Sequence, residues 1–310
     1  MASEPLNQQQ FDPGITQVYS GDLRRIVNRD GSFNVRRKGW SLKDLHVYQL
    51  MVSMSWPAFM GLVLALFAVV NLAFTALYVS AGLDNLAGAT APTRIESILN
   101  AFFFSVQTLT TVGYGAISPK GIATNAIASI EAMMGVLGFA FAAGLLYGRF
   151  SRPSARILFS DHAVMAPFRG GMSLQFRIAN RRSNAIVNLE ATVLLMTVEL
   201  VGGEHKRRYV RLELERPNVY FLPLTWTIVH PIDDASPLKG LTPEQLADRS
   251  AELLVLITGF DDSFSQLVNA RTSFRFDEIV WGVRFVPAFH ADDQGELVLD
   301  LGKINDTTPA

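Results

Sequence analysis

The chain has 310 residues, 49% of them hydrophobic and 18% charged, with a mean hydropathy of +0.23. That is too apolar for an ordinary soluble domain, and a formal net charge of −1 lacks the basic excess of a nucleic-acid binder. Cysteine is absent, which excludes a disulfide framework, a thiolate zinc site and a cysteine nucleophile.

Residues 1–40 are rich in Gln, Asn, Asp, Gly and Arg, show no sustained period, and carry the basic cluster Arg36-Arg37-Lys38 near their end. They read as a mobile or partner-dependent cytoplasmic arm, with no cleavable signal peptide. Over 41–56 a helical projection gathers His46, Gln49 and Ser53 into one narrow polar stripe amid apolar residues, as in a helix lying along a membrane interface. Pro57 predicts a break after it, because proline is tolerated only in a helix's first turn.

Residues 57–82 hold no charge and suffice to cross a hydrocarbon core of roughly 30 Å, so they form the first span. A polar outer loop over 82–97 includes Arg94 and Glu96. Residues 98–109 are apolar but too few to span, since crossing takes about twenty residues. They predict a re-entrant pore helix, whose carbonyl end would point its partial negative charge at a cation.

The segment that follows is Thr111-Val112-Gly113-Tyr114-Gly115. In isolation T-V-G-Y-G reads as a tight turn between helices. Between a helix too short to span and two true spans, it matches the known sequence of potassium selectivity filters; the match is one of motif, on which periodicity is silent. The chemistry is consistent. Rings of backbone carbonyls can replace the water around potassium, and Gly113 and Gly115 permit the positive φ that turns successive carbonyls to one axis. Val112 and Tyr114 would then point outward into packing, and the Thr111 hydroxyl would add an oxygen at the inner end. One loop supplies one oxygen per ring, so closed rings require equivalent copies, and a homotetramer is expected. Potassium is the permeant ion, and no cofactor is implied.

Between Lys120 and Arg149 the only charge is Glu131, so 121–150 form the second span. A charged Glu131 would be costly there, so it should be neutral or paired near the filter, and a structural hydrogen-bonding role is favoured over an ion site. Lys and Arg cluster before the first span and after the second, which predicts an inner-membrane protein with both termini cytoplasmic. No arginine-studded third span provides a voltage sensor. Beyond 152 the runs become β-branched or alternating, separated by Gly, Asn, Pro and Asp turns, a β-sandwich pattern over 153–303 followed by a tail, 304–310. Thr242 and Pro243 start one short helix within it. The five histidines show no metal-ligand spacing and no phosphate-binding glycine loop is present, so enzymatic chemistry is not expected.

The order of elements resembles the prokaryotic, KirBac-type branch of the inward-rectifier potassium channels. The resemblance rests on Ala101-Phe-Phe-Phe-Ser-Val-Gln-Thr108, Arg149-Phe-Ser-Arg-Pro153, Thr227-Ile-Val-His-Pro-Ile-Asp-Asp-Ala-Ser-Pro-Leu238 and Asp277-Glu-Ile-Val-Trp-Gly282, and covers roughly residues 35–303. It implies a two-span pore joined to an immunoglobulin-like cytoplasmic β-sandwich, with potassium held at Thr111 to Gly115. It further implies that Phe139, at the family's rectification position, weakens polyamine block because it is not acidic. Tyr147, eight residues on, would line the inner constriction. Gly135 and Gly144 are similar to the family's flexible points, although close helix packing explains them equally well. Arg149 and Arg152 match positions that bind anionic phospholipid, although topology alone also requires basic residues there. Gly259, Phe260, Asp261, Asp262 and Ser263 correspond to a loop that narrows the cytoplasmic pore, or else form an ordinary hairpin. Gln107 and Ile117 stand where many animal relatives carry an acid and a base, so the ion pair that braces their filter cannot form. The rival reading is a membrane-anchored ligand-binding receptor without conduction, which leaves the re-entrant helix and the filter unexplained.

Overall fold

The structure is a computed structural model that describes residues 13–15, 25–36, 38–39, 46–89, 91–151, 156–201 and 203–310. Two compact units emerge, one from 39–152 and one from 1–38 together with 153–310.

The first unit opens with α1 (Val47–Ser53). Of the interfacial helix expected over 41–56, residues 41–45 lie outside the described residues. The chain breaks at Met54 and restarts as α2 (Trp56–Ala81), with Pro57 in the first turn, where a missing N–H costs nothing. Gly82, at φ +96°, ends the helix in a conformation that a side chain would resist. A two-residue strand, β1 (Leu86–Ala87), then precedes α3 (Arg94–Leu109), β2 (Ser118–Pro119) and α4 (Gly121–Phe150). Helices α2 and α4, of 26 and 30 residues, are long and apolar enough to cross a membrane.

The pore helix begins earlier than its apolar run suggests, at Arg94 instead of 98. Thr93 Oγ1 accepts from the Glu96 N–H at 3.2 Å, and the Glu96 carboxylate accepts from the Thr93 N–H at 3.3 Å. This reciprocal cap satisfies two orphan donors and draws Arg94 and Glu96 into the first turn. Phe74, Tyr78, Leu86, Ala101 and Phe104 form the small core in which α2, α3 and the outer loop meet.

The second unit is a two-sheet sandwich. Its strands are β3 (Ile157–Phe159), β4 (Ala163–Phe168), β5 (Gly171–Asn180), β6 (Ile186–Val201), β7 (Glu204–Arg211), β8 (Asn218–Phe221) and β9 (Thr225–Ile232). After α5 (Pro243–Asp248) come β10 (Glu252–Asp261), β11 (Gln266–Arg275), β12 (Ile279–Trp281), β13 (Val283–Phe285), β14 (Phe289–Ala291), β15 (Leu297–Leu299) and β16 (Thr307–Pro309). One sheet runs β12-β4-β5-β3 with β9 also on β5, and the other runs β11-β10-β6-β7 with β8 also on β6. Alternation builds the core between them: Leu174, Phe176 and Ile178 of β5 face Ala191, Val193 and Leu195 of β6 and Leu253, Val255 and Ile257 of β10.

Two further sequence expectations need correction here. Residues 304–310 are not a tail, because Ile304 is buried and β16 pairs with β13. The arm is also folded in part: Val27 bridges to Phe33, and Ile26 and Val27 pack with Leu194, Met196, Tyr209 and Leu254 on the outside of the β10–β6–β7 sheet. Arg25 and Arg29 both pair with Glu278 at 2.7 Å, and the Ile26 N–H meets the Glu252 carboxylate at 3.2 Å. A buried apolar pair with satisfied polar neighbours outweighs the polar composition that suggested mobility.

Candidate functional site

The loop that leaves α3 turns its N–H groups back onto that helix. Thr111 N donates to Thr108 O at 3.1 Å, and Val112 N and Gly113 N both donate to Gln107 O, at 2.9 and 3.3 Å. Backbone φ is +61° at Thr111, +54° at Gly113 and +81° at Gly115, with Val112 and Tyr114 between them outside the left-handed region. Alternating handedness turns successive peptide groups the same way. The Thr111, Val112 and Gly113 donors are thus committed to α3, and rings of backbone carbonyls are the kind of group that takes the place of cation hydration. The two glycines adopt this conformation freely, whereas Thr111, being β-branched, is strained by about 1–2 kcal/mol. Val112 and Tyr114 are 54% and 78% exposed in the single chain.

The segment after the loop is fastened from outside. β1 pairs with β2 through Leu86↔Pro119 and Ala87↔Ser118, and Lys120 N donates to Asn85 O at 2.8 Å. Gly88 lies so close that a Cβ there would stand 2.2 Å from Ala116 O. Ile117 packs against the helical core. Gln107 and Ile117, which cannot form an ion pair, thus support the loop through a backbone carbonyl and through burial.

Behind the loop lies a buried polar cluster drawn from three helices. Asn71, Ser105 and Glu131 are 0% exposed, as is Tyr78. Tyr78 Oη stands 2.6 Å from Glu131 Oε2, Ser105 Oγ bonds to Glu131 Oε1, and Ser105 Oγ is 3.1 Å from Asn71 Oδ1. One turn further along α4, a Cβ on Gly135 would stand 2.0 Å from Leu109 O, the last residue of α3. Helix α4 thus grips the final turn of α3 at Ser105 and Leu109, through Glu131 and Gly135.

The remaining site residues are placed as follows. Phe139 and Tyr147 project from α4, 78% and 75% exposed, and a Cβ on Gly144 would meet nothing within 4 Å. Arg149 donates to Met51 O and, at 2.8 Å, to Met54 O, and its guanidinium lies 4.7 Å from the Trp56 ring and 4.5 Å from the Phe59 ring. That charge caps the carbonyl end of α1. Arg152 lies outside the described residues. The loop expected over 259–263 is shorter: Gly259, Phe260 and Asp261 belong to β10, and the turn spans 262–265. Asp261 is fully buried, accepting from Ser263 N at 3.0 Å, Phe264 N at 3.3 Å and Asn184 Nδ2 at 2.8 Å. It organises the hairpin, while Asp262 and Ser263 are at its tip.

Two membrane-length helices with a shorter helix and a loop of alternating φ between them in sequence, joined to a β-sandwich, define the subunit of a two-span, pore-loop ion channel. Residues 64–151 match the ion channel family model, and residues 157–310 match the inward rectifier potassium channel C-terminal domain. The chain is 40% identical to "Inward rectifier potassium channel Kirbac3.1" of Paramagnetospirillum magnetotacticum, over 91% of this chain and 95% of that protein. It is 30% identical to the human "ATP-sensitive inward rectifier potassium channel 10", over 90% of this chain and 79% of that one. The chain belongs to the inward rectifier potassium channel family, a family of membrane ion channels and not of enzymes.

Proposed function

We propose that four copies of the chain assemble around one axis and conduct potassium passively. The reading is carried by the alternating φ from Thr111 to Gly115, with the Thr111, Val112 and Gly113 N–H groups bound to α3; the carbonyls are then free to face an ion. Thr111, Val112, Gly113, Tyr114 and Gly115 form the filter, to which the Thr111 hydroxyl adds an oxygen. Neighbouring copies cover Val112 and Tyr114, and the exposed face of α4 with Phe139 and Tyr147 lines the inner pore, where Tyr147 narrows it. Phe139 brings no negative charge, so block by internal polyamines is weak. Both termini lie in the cytoplasm and the spans in the inner membrane. The tip residues Asp262 and Ser263 border the cytoplasmic pore.

Gating combines the inner helices, the β-sandwich and anionic phospholipid. Arg152 meets the lipid headgroup directly. Arg149 does so only when it leaves the α1 carbonyls that it caps.

Rubidium flux into liposomes containing the purified protein tests this function. Uptake that favours potassium and rubidium over sodium and stops with barium is the expected result. No uptake at any anionic-lipid content overturns it and favours the receptor reading.

A further inference from the structure

The buried cluster behind the filter has a hydrogen-counting problem. Asn71 Nδ2 donates to Phe67 O at 2.7 Å, which fixes the amide and leaves Asn71 Oδ1 as an acceptor facing Ser105. Tyr78 spends its one hydrogen on Glu131 Oε2. Ser105 has one hydroxyl hydrogen, yet Glu131 Oε1, Asn71 Oδ1 and, at 3.3 Å, Asn71 O all surround its oxygen. If Glu131 were ionised, the serine could satisfy the carboxylate or the amide but not both, and oxygen would face oxygen in a site closed to water.

One additional proton supplies a hydrogen to both close contacts of Ser105 Oγ, with Glu131 Oε1 and with Asn71 Oδ1, while Asn71 O accepts from Thr75 Oγ1 at 2.7 Å. With a hydrogen on Glu131 Oε1, the carboxylic acid donates to Ser105 Oγ and Ser105 donates to Asn71 Oδ1. Asn71 donates to Phe67 O, and Tyr78 donates to Glu131 Oε2. Each of these four hydrogens then has one acceptor, and the chain of bonds runs from α4 through α3 into α2.

Charges on the three packed helices do not contest this. α2 has none, and Tyr78 is its only titratable residue in the cluster. Arg94 and Glu96 lie in the first turn of α3, about 16 and 13 Å along the axis from Ser105, and Arg149 lies about 27 Å from Glu131 along α4. Among the described residues an ionised carboxylate there has no cation partner and would bear a desolvation cost of several kcal/mol.

We infer that Glu131 carries a proton, and that this neutral acid is a positioning residue for the filter. Ser105 sits two residues before Gln107, whose carbonyl receives Val112 N and Gly113 N. A donor on α4 therefore sets the final turn of α3, and that turn sets the loop. The inference rests on the proposed conduction for its functional consequence, but not for the proton itself.

Glu131→Gln separates the possibilities, because the amide donates where the acid O–H did and accepts from Tyr78 as before. In the full-length protein in lipid at neutral pH, the infrared difference between wild type and Glu131→Gln is expected to show the carbonyl stretch of a buried carboxylic acid. Potassium-over-sodium selectivity is expected to stay within about twofold in Glu131→Gln and to fall roughly tenfold or more in Glu131→Ala and Ser105→Ala, since each loses buried hydrogen bonds. Carboxylate bands in place of the acid band overturn the proton. Glu131→Gln behaving like Glu131→Ala, or both alanine variants selecting as wild type does, overturns the positioning role. Where an alanine variant fails to assemble, the spectrum and Glu131→Gln decide. A wild type without flux refutes the proposed conduction and leaves the spectrum to judge the proton.

Discussion

Gly135→Ala tests whether α4 presses on α3 or flexes there. The new Cβ would stand 2.0 Å from Leu109 O, 2.8 Å from its carbonyl carbon and 3.1 Å from its Cα, where real Cβ contacts essentially never fall below 3.0 Å. The atoms in the way are backbone at the end of a helix, so no rotamer relieves them, and the helices must part by about 1 Å. Overpacking of that kind costs about 1–3 kcal/mol. The separation also stretches the bonds of Glu131 one turn away, adding about 1 kcal/mol or more. The expected total, about 2–4 kcal/mol, corresponds to a fall on the order of 10 °C in the thermal midpoint of the detergent-solubilised protein. Rubidium uptake should fall with it, because Leu109 is two residues from Thr111. Gly144→Ala is the control: with nothing within 4 Å of its Cβ, it should match or exceed wild-type stability by up to about 1 kcal/mol. A Gly135→Ala protein with unchanged midpoint and uptake would refute the close approach, and one that keeps its midpoint but loses uptake would mark a flexible point instead.

Gly113→Ala should abolish potassium selectivity while leaving the oligomer intact in gel filtration. No heavy atom lies within 4 Å of its Cβ and φ is +54°, so the penalty is conformational, about 1–2 kcal/mol in each copy. Glu278→Gln should release the arm. Burial alone would push this carboxyl up, but the Arg275 N–H, Arg25 and Arg29 outweigh it and hold it below its ordinary 4.5. Hydrogen exchange at residues 26–34 should rise roughly tenfold on losing these charge-assisted bonds, and unchanged protection counts against the latch. In the wild type, the same linkage makes docking fully stable above pH 4.5 and lost as the pH falls through the lower folded value. His230 adds a second acid-sensitive element. Burial pushes it below its ordinary 6.5, against the pull of the Glu213 carbonyl and of the Asp233 and Glu213 charges. The unfolded chain therefore binds the proton first, and β-sandwich stability, full above pH 6.5, declines as the pH falls below it. Thermal melts followed through buried Trp226 should show that decline in wild type and a flatter profile in His230→Asn.

The features legible in the sequence are those that one segment decides alone. Twenty-six residues of α2 without a charge can only be a span or a buried core helix, and the alternation of Leu174, Phe176 and Ile178 predicts a strand whatever its partners. The start of α3 was legible too, since Thr93 and Glu96 have capping-box spacing, but their polarity reads as loop when apolar content alone defines the helix. Thr111 is different in kind. β-branching argues against positive φ, so no local rule points to the left-handed region, where hydrogen bonds to the end of α3 hold the loop. The same holds for Gly135, whose hinge and packing readings are indistinguishable until Leu109 appears beside it, and for Arg149, whose charge suits a headgroup until the α1 carbonyls are found beneath it.

Glu131 joins the two kinds of information. An acid in a span signals a neutral or paired group from sequence alone, but the choice between them depends on counting the hydrogens of Tyr78, Ser105 and Asn71, which come together only when three helices have packed. The carbonyl loop has little cohesion of its own. Its geometry is inherited from the last turn of α3, which α4 fixes through one proton and one missing methyl group.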